Sequence, residues 1–439
     1  MNAPTAGPGV RHDPIAALRV RNFRLFWCAA LASNTGSWMQ ATAIPYVVFQ
    51  LTGLSADVGV TGFFLYAPMM VMGLVGGSLA DRYSRRRLLV ITQVVQAVFA
   101  VGLWWVVASG NATTVNLSAL GFASGLAGGL NIPVWQSFVS QLVPRDLLAN
   151  AVTLNSTQFN AARALGPVFA APVIVAFGAG TAFAINAASF AAVLLVLPMI
   201  DAPNPPRPTG PRPKVLPDLT AGAKYVLTVP GILSCCIAII AIAGLGNPLF
   251  SFLPATYGQE IFETHGWTLG LLTGAGGIGA LLAAPLLLTK GLQLPRPVLL
   301  GTSMTIYGTS VIVVGLAPVL WVAVLGGVLF GGAYLAIAAA INTTIQLLAR
   351  EDMRGKAIAV YLACLTGSLP IGLFVWGRAA DEFGIRTTTV VAGAALLVVT
   401  VVLWLTGRFD EMVAADEARD QARDQALDAA ARALVDPEV

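Results

Sequence analysis

Two places in this sequence carry charge that needs a reason. The first is the run Gly76-Gly77-Ser78-Leu79-Ala80-Asp81-Arg82-Tyr83-Ser84-Arg85-Arg86-Arg87, a lone carboxylate beside four arginines. Asp81 can accept hydrogen bonds from the unpaired N–H groups at a helix start, where the helix dipole also favours a negative charge. Gly77 would let two backbones approach closely. The arginines Arg82, Arg85, Arg86 and Arg87 need do no more than hold a loop on one side of a membrane. The second place is Arg163, a single cation inside the apolar run 151–177. A guanidinium keeps its charge in proteins, so within a membrane it must be paired or hydrated. It can engage an anionic or polar ligand group in a cavity, serve as a gating partner, or simply snorkel toward water.

The groupings that enzymes use are missing. The two histidines, His12 and His265, are remote from each other, and Cys28, Cys235, Cys236 and Cys364 fall in apolar segments without zinc-site spacing. No metal, no cofactor and no catalysis are expected from such a set. A Gly-x-x-x-x-Gly-Lys-[Ser/Thr] loop is also lacking, and no polar segment is long enough for an ATPase domain, so any transport must be secondary.

The elements that position these residues follow from composition. With 56% hydrophobic and 10% charged residues over 439 positions, the chain requires a lipid bilayer as its solvent. Apolar runs long enough to cross it occupy 24–51, 56–80, 87–109, 115–142, 151–177 and 180–200, and then 231–257, 266–289, 297–316, 319–349, 356–377 and 387–407. The expected fold is therefore an all-α membrane protein of twelve transmembrane helices in two pseudo-symmetric six-helix bundles, 24–200 and 231–407. A tail over 1–23 precedes them, and a tail over 408–439, rich in Ala, Asp, Glu and Arg, follows. Between them 201–230 is a linker, proline-rich up to Pro217 and then a surface helix over 218–228.

Charge sets the orientation. With the N-terminus inside, every Lys and Arg except Arg163, Arg378 and Arg386 falls on the cytoplasmic side. Both termini are thus expected in the cytoplasm, the first span is an uncleaved anchor, and the net charge of +4 reflects topology, not a nucleic-acid partner. Internal duplication shows in Pro144-Arg145-Asp146-Leu147-Leu148-Ala149-Asn150-Ala151 against Arg350-Glu351-Asp352-Met353-Arg354-Gly355-Lys356-Ala357. The same offset sets Gly166 against Gly372.

The loop around Asp81 resembles the cytoplasmic signature of the major facilitator superfamily. In that family its aspartate latches the two halves in the outward-facing state, which here implies a contact with the helix start near Ala357. Ala162-Arg163-Ala164-Leu165-Gly166-Pro167-Val168-Phe169-Ala170-Ala171 is similar to the family's antiporter signature, Gly-x-x-x-Gly-Pro-x-x-Gly-Gly, with alanines replacing the outer glycines. Its small residues permit close packing and Pro167 permits a bend. Asn22-Phe23-Arg24-Leu25-Phe26-Trp27, Gly36-Ser37-Trp38-Met39, Leu51-Thr52-Gly53 and Gly222-Ala223-Lys224-Tyr225-Val226 resemble the enterobactin-exporter, or transmembrane secretion effector, branch. The second-half counterpart of the signature, Thr289-Lys290-Gly291 and Pro295-Arg296, lacks the acid, which argues against a symmetric second latch.

The resemblance implies a cavity lined by spans one, four, seven and ten. Polar and aromatic candidates there are Asn34, Trp38, Gln40, Asn131, Trp135, Gln136, Asn247, Phe250, Tyr334 and Asn342. Amides offer donors and acceptors together and aromatics offer flat apolar area, which suits a ligand of mixed polarity; each could equally be interhelical glue. No Asp, Glu or His lies in mid-span, and Asp57, at the outer end of span two, is the candidate proton carrier. The function implied is export of a small amphiphilic molecule, such as a drug, siderophore or secondary metabolite, across the plasma (inner) membrane by a monomer exchanging it for protons. The alternatives are import of a small solute and a sensor or scaffold without transport.

Overall fold

Inside hydrocarbon every backbone N–H and C=O must find its partner within the protein, and a helix satisfies them segment by segment. The computed structural model describes residues 14–201, 215–251, 254–263, 267–289, 294–413 and 417. The tail over 1–13, the prolines of 202–214, His265, Lys290 and, apart from 417, the residues 414–439 lie outside the described residues.

In chain order the helices are α1 (Arg21–Thr52), α2 (Ser55–Arg82), α3 (Arg85–Ala108), α4 (Thr114–Val139), α5 (Leu148–Phe177) and α6 (Ala179–Val196). Then come α7 (Val215–Thr228), α8 (Pro230–Ala241), the short α9 (Asn247–Ser251) and α10 (Pro254–Thr256), and α11 (Trp267–Thr289). The last four are α12 (Arg296–Leu316), α13 (Leu320–Leu348), α14 (Arg354–Phe383) and α15 (Ile385–Leu405). Among the described residues eleven segments are long and apolar enough to span a membrane. The 32-residue α1 is the twelfth rod, less apolar because Asn34, Ser37, Gln40 and Thr42 interrupt it. Large apolar side chains left exposed, such as Val98, Trp105, Leu195, Leu282 and Trp404, form the surface that faces lipid.

Within the first six, α2 packs along α4, α1 along α5 and α6, and α3 against α4 and α6. Within the second six, α13 packs on α11 and α12, α12 on α15, and α8 with its continuation on α14. The two halves meet through α2 with α14 and α5 with α11. The duplication is visible in the packing itself. Gly166 lies so close to α1 that a Cβ there would collide with Trp38, and Gly372 lies equally close to the carbonyl of Gly244. The offset that aligns Gly166 with Gly372 also aligns Trp38 with Gly244, so both halves repeat one helix crossing.

The seventh span departs from the continuous run expected over 231–257. α8 passes into a π-helical turn at Ile242–Gly246, and a second π turn at Tyr257–Ile261 follows α10. A π turn disturbs the regular backbone ladder, and side chains from other helices fill in. Trp376 Nε1 donates to the Gly244 carbonyl at 2.8 Å, and the Tyr307 hydroxyl lies 3.4 Å from the Ile242 carbonyl and 2.9 Å from Asn247 Oδ1.

One end of the bundle, termed the terminal side, gathers the described ends of both halves. Asn22 donates to the Asp201 carbonyl at 2.8 Å, and Ser234 donates to Glu411 Oε2 at 2.7 Å. The surface helix α7, which begins at Val215, three residues before its expected start, is fastened to α14 there. Lys356 pairs with Asp218 at 3.1 Å, and the Arg350 N–H donates to the Tyr225 hydroxyl at 3.0 Å.

Candidate substrate cavity and its closed end

At the side opposite the termini, the distal side, the two halves are sealed. The carboxylate of Asp381, near the end of α14, accepts the backbone N–H of Ser55 at 2.7 Å and that of Ala56 at 2.9 Å. These are donors in the first turn of α2, whose own N-cap, Leu54, has no side chain able to serve them. One turn further on, Gly59 meets Leu373 and Gly377 with no room for a Cβ, and the rings of Phe63 and Phe374 lie 5.9 Å apart. Across the molecule Gly270, Gly274 and Gly277 of α11 press on Pro167, Ala171 and Ala164 of α5. Small residues thus let backbone meet backbone at both interfaces. At the same rim burial, and secondarily the charge of Asp381, holds the Glu260 carboxyl above its ordinary range.

Arg163 stands at the middle of the 30-residue α5. Its guanidinium carbon lies 5.7 Å from the ring of Trp38 on α1 and 5.5 Å from the ring of Tyr334 on α13. One cation is therefore held between two aromatic faces, one from each half. Both walls are buttressed: Tyr334 stacks on Phe330 at 6.5 Å and 7°, and Trp38 meets Phe159 edge-on at 5.8 Å. Among the described residues no carboxylate is paired with Arg163.

On the terminal side of Arg163 lies a cavity of ≈ 270 Å³ between α1, α4 and α5. Its lining comprises Asn34, Asn131, Ile132, Trp135, Gln136, Asn155, Ser156, Gln158, Phe159 and Asn160. The side chains hold one another in place. Asn34 donates to Gln158 Oε1 at 3.2 Å, Trp135 Nε1 donates to Asn155 Oδ1 at 3.2 Å, and Asn131 Oδ1 accepts from Thr92 at 2.8 Å. Gln158 is fully buried, and its Nε2 has no partner. Gln136, Ser156 and Phe159 are exposed, so the cavity is open to the exterior of the bundle.

The structure thus brings Asn34, Asn131, Trp135 and Gln136 together in the cavity and Trp38, Arg163 and Tyr334 together in the cage, with Phe159 lining the first and touching Trp38 of the second. Two other candidates are turned elsewhere: Gln40 accepts from Asn186 of α6 at 2.8 Å and Asn247 accepts from Tyr307, each a bond within the helix framework. Asn342 accepts from Gln346 one turn along α13. Asp57 sits in the first turn of α2 at the distal rim, away from the cavity. The side chains of Gly77, Asp81, Arg82 and Phe250 lie outside the described residues. Arg85 reaches the Ser137 carbonyl at 3.3 Å and Arg86 the Ile200 carbonyl at 3.4 Å, at the terminal-side ends of α4 and α6 in their own half. Gly166 and Pro167 lie on α5 beside Arg163, where they pack on α1 and α11.

Sequence reasoning missed Asn155, Gln158 and Asn160, because the cavity was sought on four spans and α5 was not one of them. The signal was present as a cluster of amides within an apolar run immediately before Arg163. Asp381 was also missed as a contact residue, since its partners lie at the other end of the chain.

The family model described as "Transmembrane secretion effector" matches residues 12–434. The multidrug efflux pump Tap of Mycolicibacterium fortuitum is 23% identical over 399 residues, covering 89% of this chain and 96% of the pump. The enterobactin exporter EntS of Citrobacter koseri is 25% identical over 389 residues, covering 87% of this chain and 91% of the exporter. Among solved structures, a POT family transporter in complex with 5-aminolevulinic acid superposes with a TM-score of 0.73 at 14% identity, covering 89% of this chain and 96% of that one. That last likeness bears on the fold alone.

Proposed function

We propose that this chain, which belongs to the transmembrane secretion effector family of the major facilitator superfamily, exports a small amphiphilic molecule across the plasma (inner) membrane by alternating access. It is a transporter and not an enzyme, and its relatives include efflux pumps. In our reading both termini lie in the cytoplasm, a placement that the distribution of Lys and Arg supports, so the sealed distal side faces outward and the cavity loads from within. The observation that carries the reading is the Arg163 cage, built from Trp38 of one half and Tyr334 of the other beneath a closed outer end. A ligand held there touches both halves and is exposed to the opposite side when they rock. Amides below and aromatics around it suit a ligand of mixed polarity.

Within this reading Asp81 is the cytoplasmic latch, with Gly77 giving close approach and Arg82, Arg85 and Arg86 holding the loop inside. Gly166 and Pro167 shape the α5 crossing against α1 and α11. Exchange against protons is the coupling proposed from the family resemblance, and a monomer is the proposed unit.

Accumulation of fluorescent amphiphiles in cells that overexpress or lack the protein tests the direction. Expression should lower intracellular dye, and an increase would mark an importer instead. For coupling, purified protein in vesicles with a pH gradient at zero membrane potential should move substrate against its gradient, and no response to the pH gradient rejects proton exchange.

A further inference from the structure

Resting on the export reading, we infer that the substrate is an amphiphilic anion, its charge taken by Arg163 and its hydroxyl- or amide-bearing part by the amide pocket of α1, α4 and α5. Three observations carry this. The membrane interior of the sequence holds a single charged residue at mid-span, Arg163; the acids nearest in sequence order, Asp146 and Asp201, lie outside the spans. A charge buried at that depth is costly unless compensated. The cage partly compensates it, since Trp38 and Tyr334 present ring faces at 5.7 and 5.5 Å. Ring faces stabilise the cation without occupying the directed N–H donors of the guanidinium edge, which match a carboxylate or a similar oxyanion.

The second observation is what the cavity lacks. A site for cations places an acid or a ring of carboxylates in the path, and none of the ten lining residues is charged. A cationic ligand would meet Arg163 with no counter-charge among the described residues. The third observation is Gln158. Its carbonyl is taken by Asn34 at 3.2 Å while its buried Nε2 has no acceptor, in a wall that also carries Asn155 and Asn160. An unpaired buried donor costs free energy, and a ligand hydroxyl or carbonyl oxygen entering from the terminal side would relieve it. The same pocket has Phe159 and Trp135 as apolar walls, which fit the non-polar body of an amphiphile.

Three probes that share one fluorophore isolate charge: dansylglycine (an anion at neutral pH), its neutral amide, and cationic dansylethylenediamine. Titrated against the purified full-length protein in lipid nanodiscs, dansylglycine should bind roughly 10- to 100-fold tighter than the amide, with the cation weakest. In Arg163→Gln the preference of anion over amide should fall to near one, and Arg163→Lys should retain part of it. Gln158→Leu should weaken all three probes, which share the sulfonamide, without altering the anion-to-cation ratio. The inference is overturned if the cation or amide binds as tightly as the anion, if dansylglycine shows no saturable binding, or if Arg163→Gln leaves the preference intact. Export itself is judged separately, by whether expressing cells accumulate less of any of the three probes. An absence of anion preference in the purified wild-type protein with export retained would therefore strike only this inference.

Discussion

Trp38 and Tyr334 come from different halves of the molecule, and each gives Arg163 one ring face. A cation–π contact is worth about 0.5–2 kcal/mol, more as water is removed. Replacing Tyr334 by Phe keeps the face and loses only the hydroxyl. Dansylglycine affinity, read by fluorescence titration, should then stay within about twofold in Tyr334→Phe and fall roughly three- to tenfold in Tyr334→Leu. Equal losses in both variants would transfer the role from the ring to its hydroxyl. Arg163 is legible in the sequence because it is one guanidinium alone in an apolar run, and Trp38 and Tyr334 are legible as aromatics on spans one and ten. That the two rings face the same cation is not legible, because it depends on how α1, α5 and α13 are rotated about their axes. Gln40 shows the same limit in reverse: its type suits a cavity, but its side of α1 faces Asn186.

Among the elements, α2 and α14 carry the distal closure, and Asp381 is its directional part. Two backbone N–H groups donate to its carboxylate at 2.7 and 2.9 Å, and charge-assisted bonds of this kind are roughly twice as strong as neutral ones. In Asp381→Asn one oxygen and the charge are lost, which should cost the closed form about 1–2 kcal/mol. Spin labels at Asn111 and Val319, on distal loops of opposite halves, should report a longer-distance population raised roughly 5- to 30-fold over wild type. An unchanged distribution would leave Asp381 as a local cap. Glu260 adds a pH dependence at the same rim. Its carboxyl is raised from the ordinary 4.5 by burial and then by Asp381, so the protonated form is the one favoured in this closed arrangement. The contribution is complete below that ordinary value and is lost as pH rises through the raised one. The same label pair should therefore show more closed protein in acid, and Glu260→Gln should flatten the response; a wild-type population independent of pH would contradict it. Helix positions were readable to within a few residues because apolar run length fixes a span. The π turns of the seventh span were not, since Gly244, Gly246 and Pro248 permit a break without specifying one, and the bonds from Trp376 and Tyr307 that stabilise it come from distant helices.

At the scale of the whole molecule, α2 and α14 run past each other so that each brings an aspartate near one of its ends: Asp381 toward the end of α14 and Asp81 toward the end of α2. Asp381 holds the start of α2 in this structure. If Asp81 holds the start of α14 when the terminal side closes, the two carboxylates favour opposite states. Asp81→Asn should then shift the Asn111–Val319 distances toward the distal-closed population, opposite in sign to Asp381→Asn, while the variant inserts normally and transports poorly; shifts of the same sign would deny the latch. The direction of transport has a further electrical consequence. An anion whose charge is carried across with no acid or histidine at mid-span to neutralise it moves net charge in every cycle. Each elementary charge is worth about 2.3 kcal/mol per 100 mV, roughly a 50-fold concentration ratio, and an interior-negative potential drives an anion outward. Vesicles loaded with dansylglycine at equal pH on both sides should empty faster when potassium and valinomycin set the interior negative, and slower when the sign is reversed. The neutral amide of the same fluorophore, which moves only the charge of any exchanged proton, should respond less steeply than the anion; equal responses would show that the substrate's charge is not what the membrane potential drives.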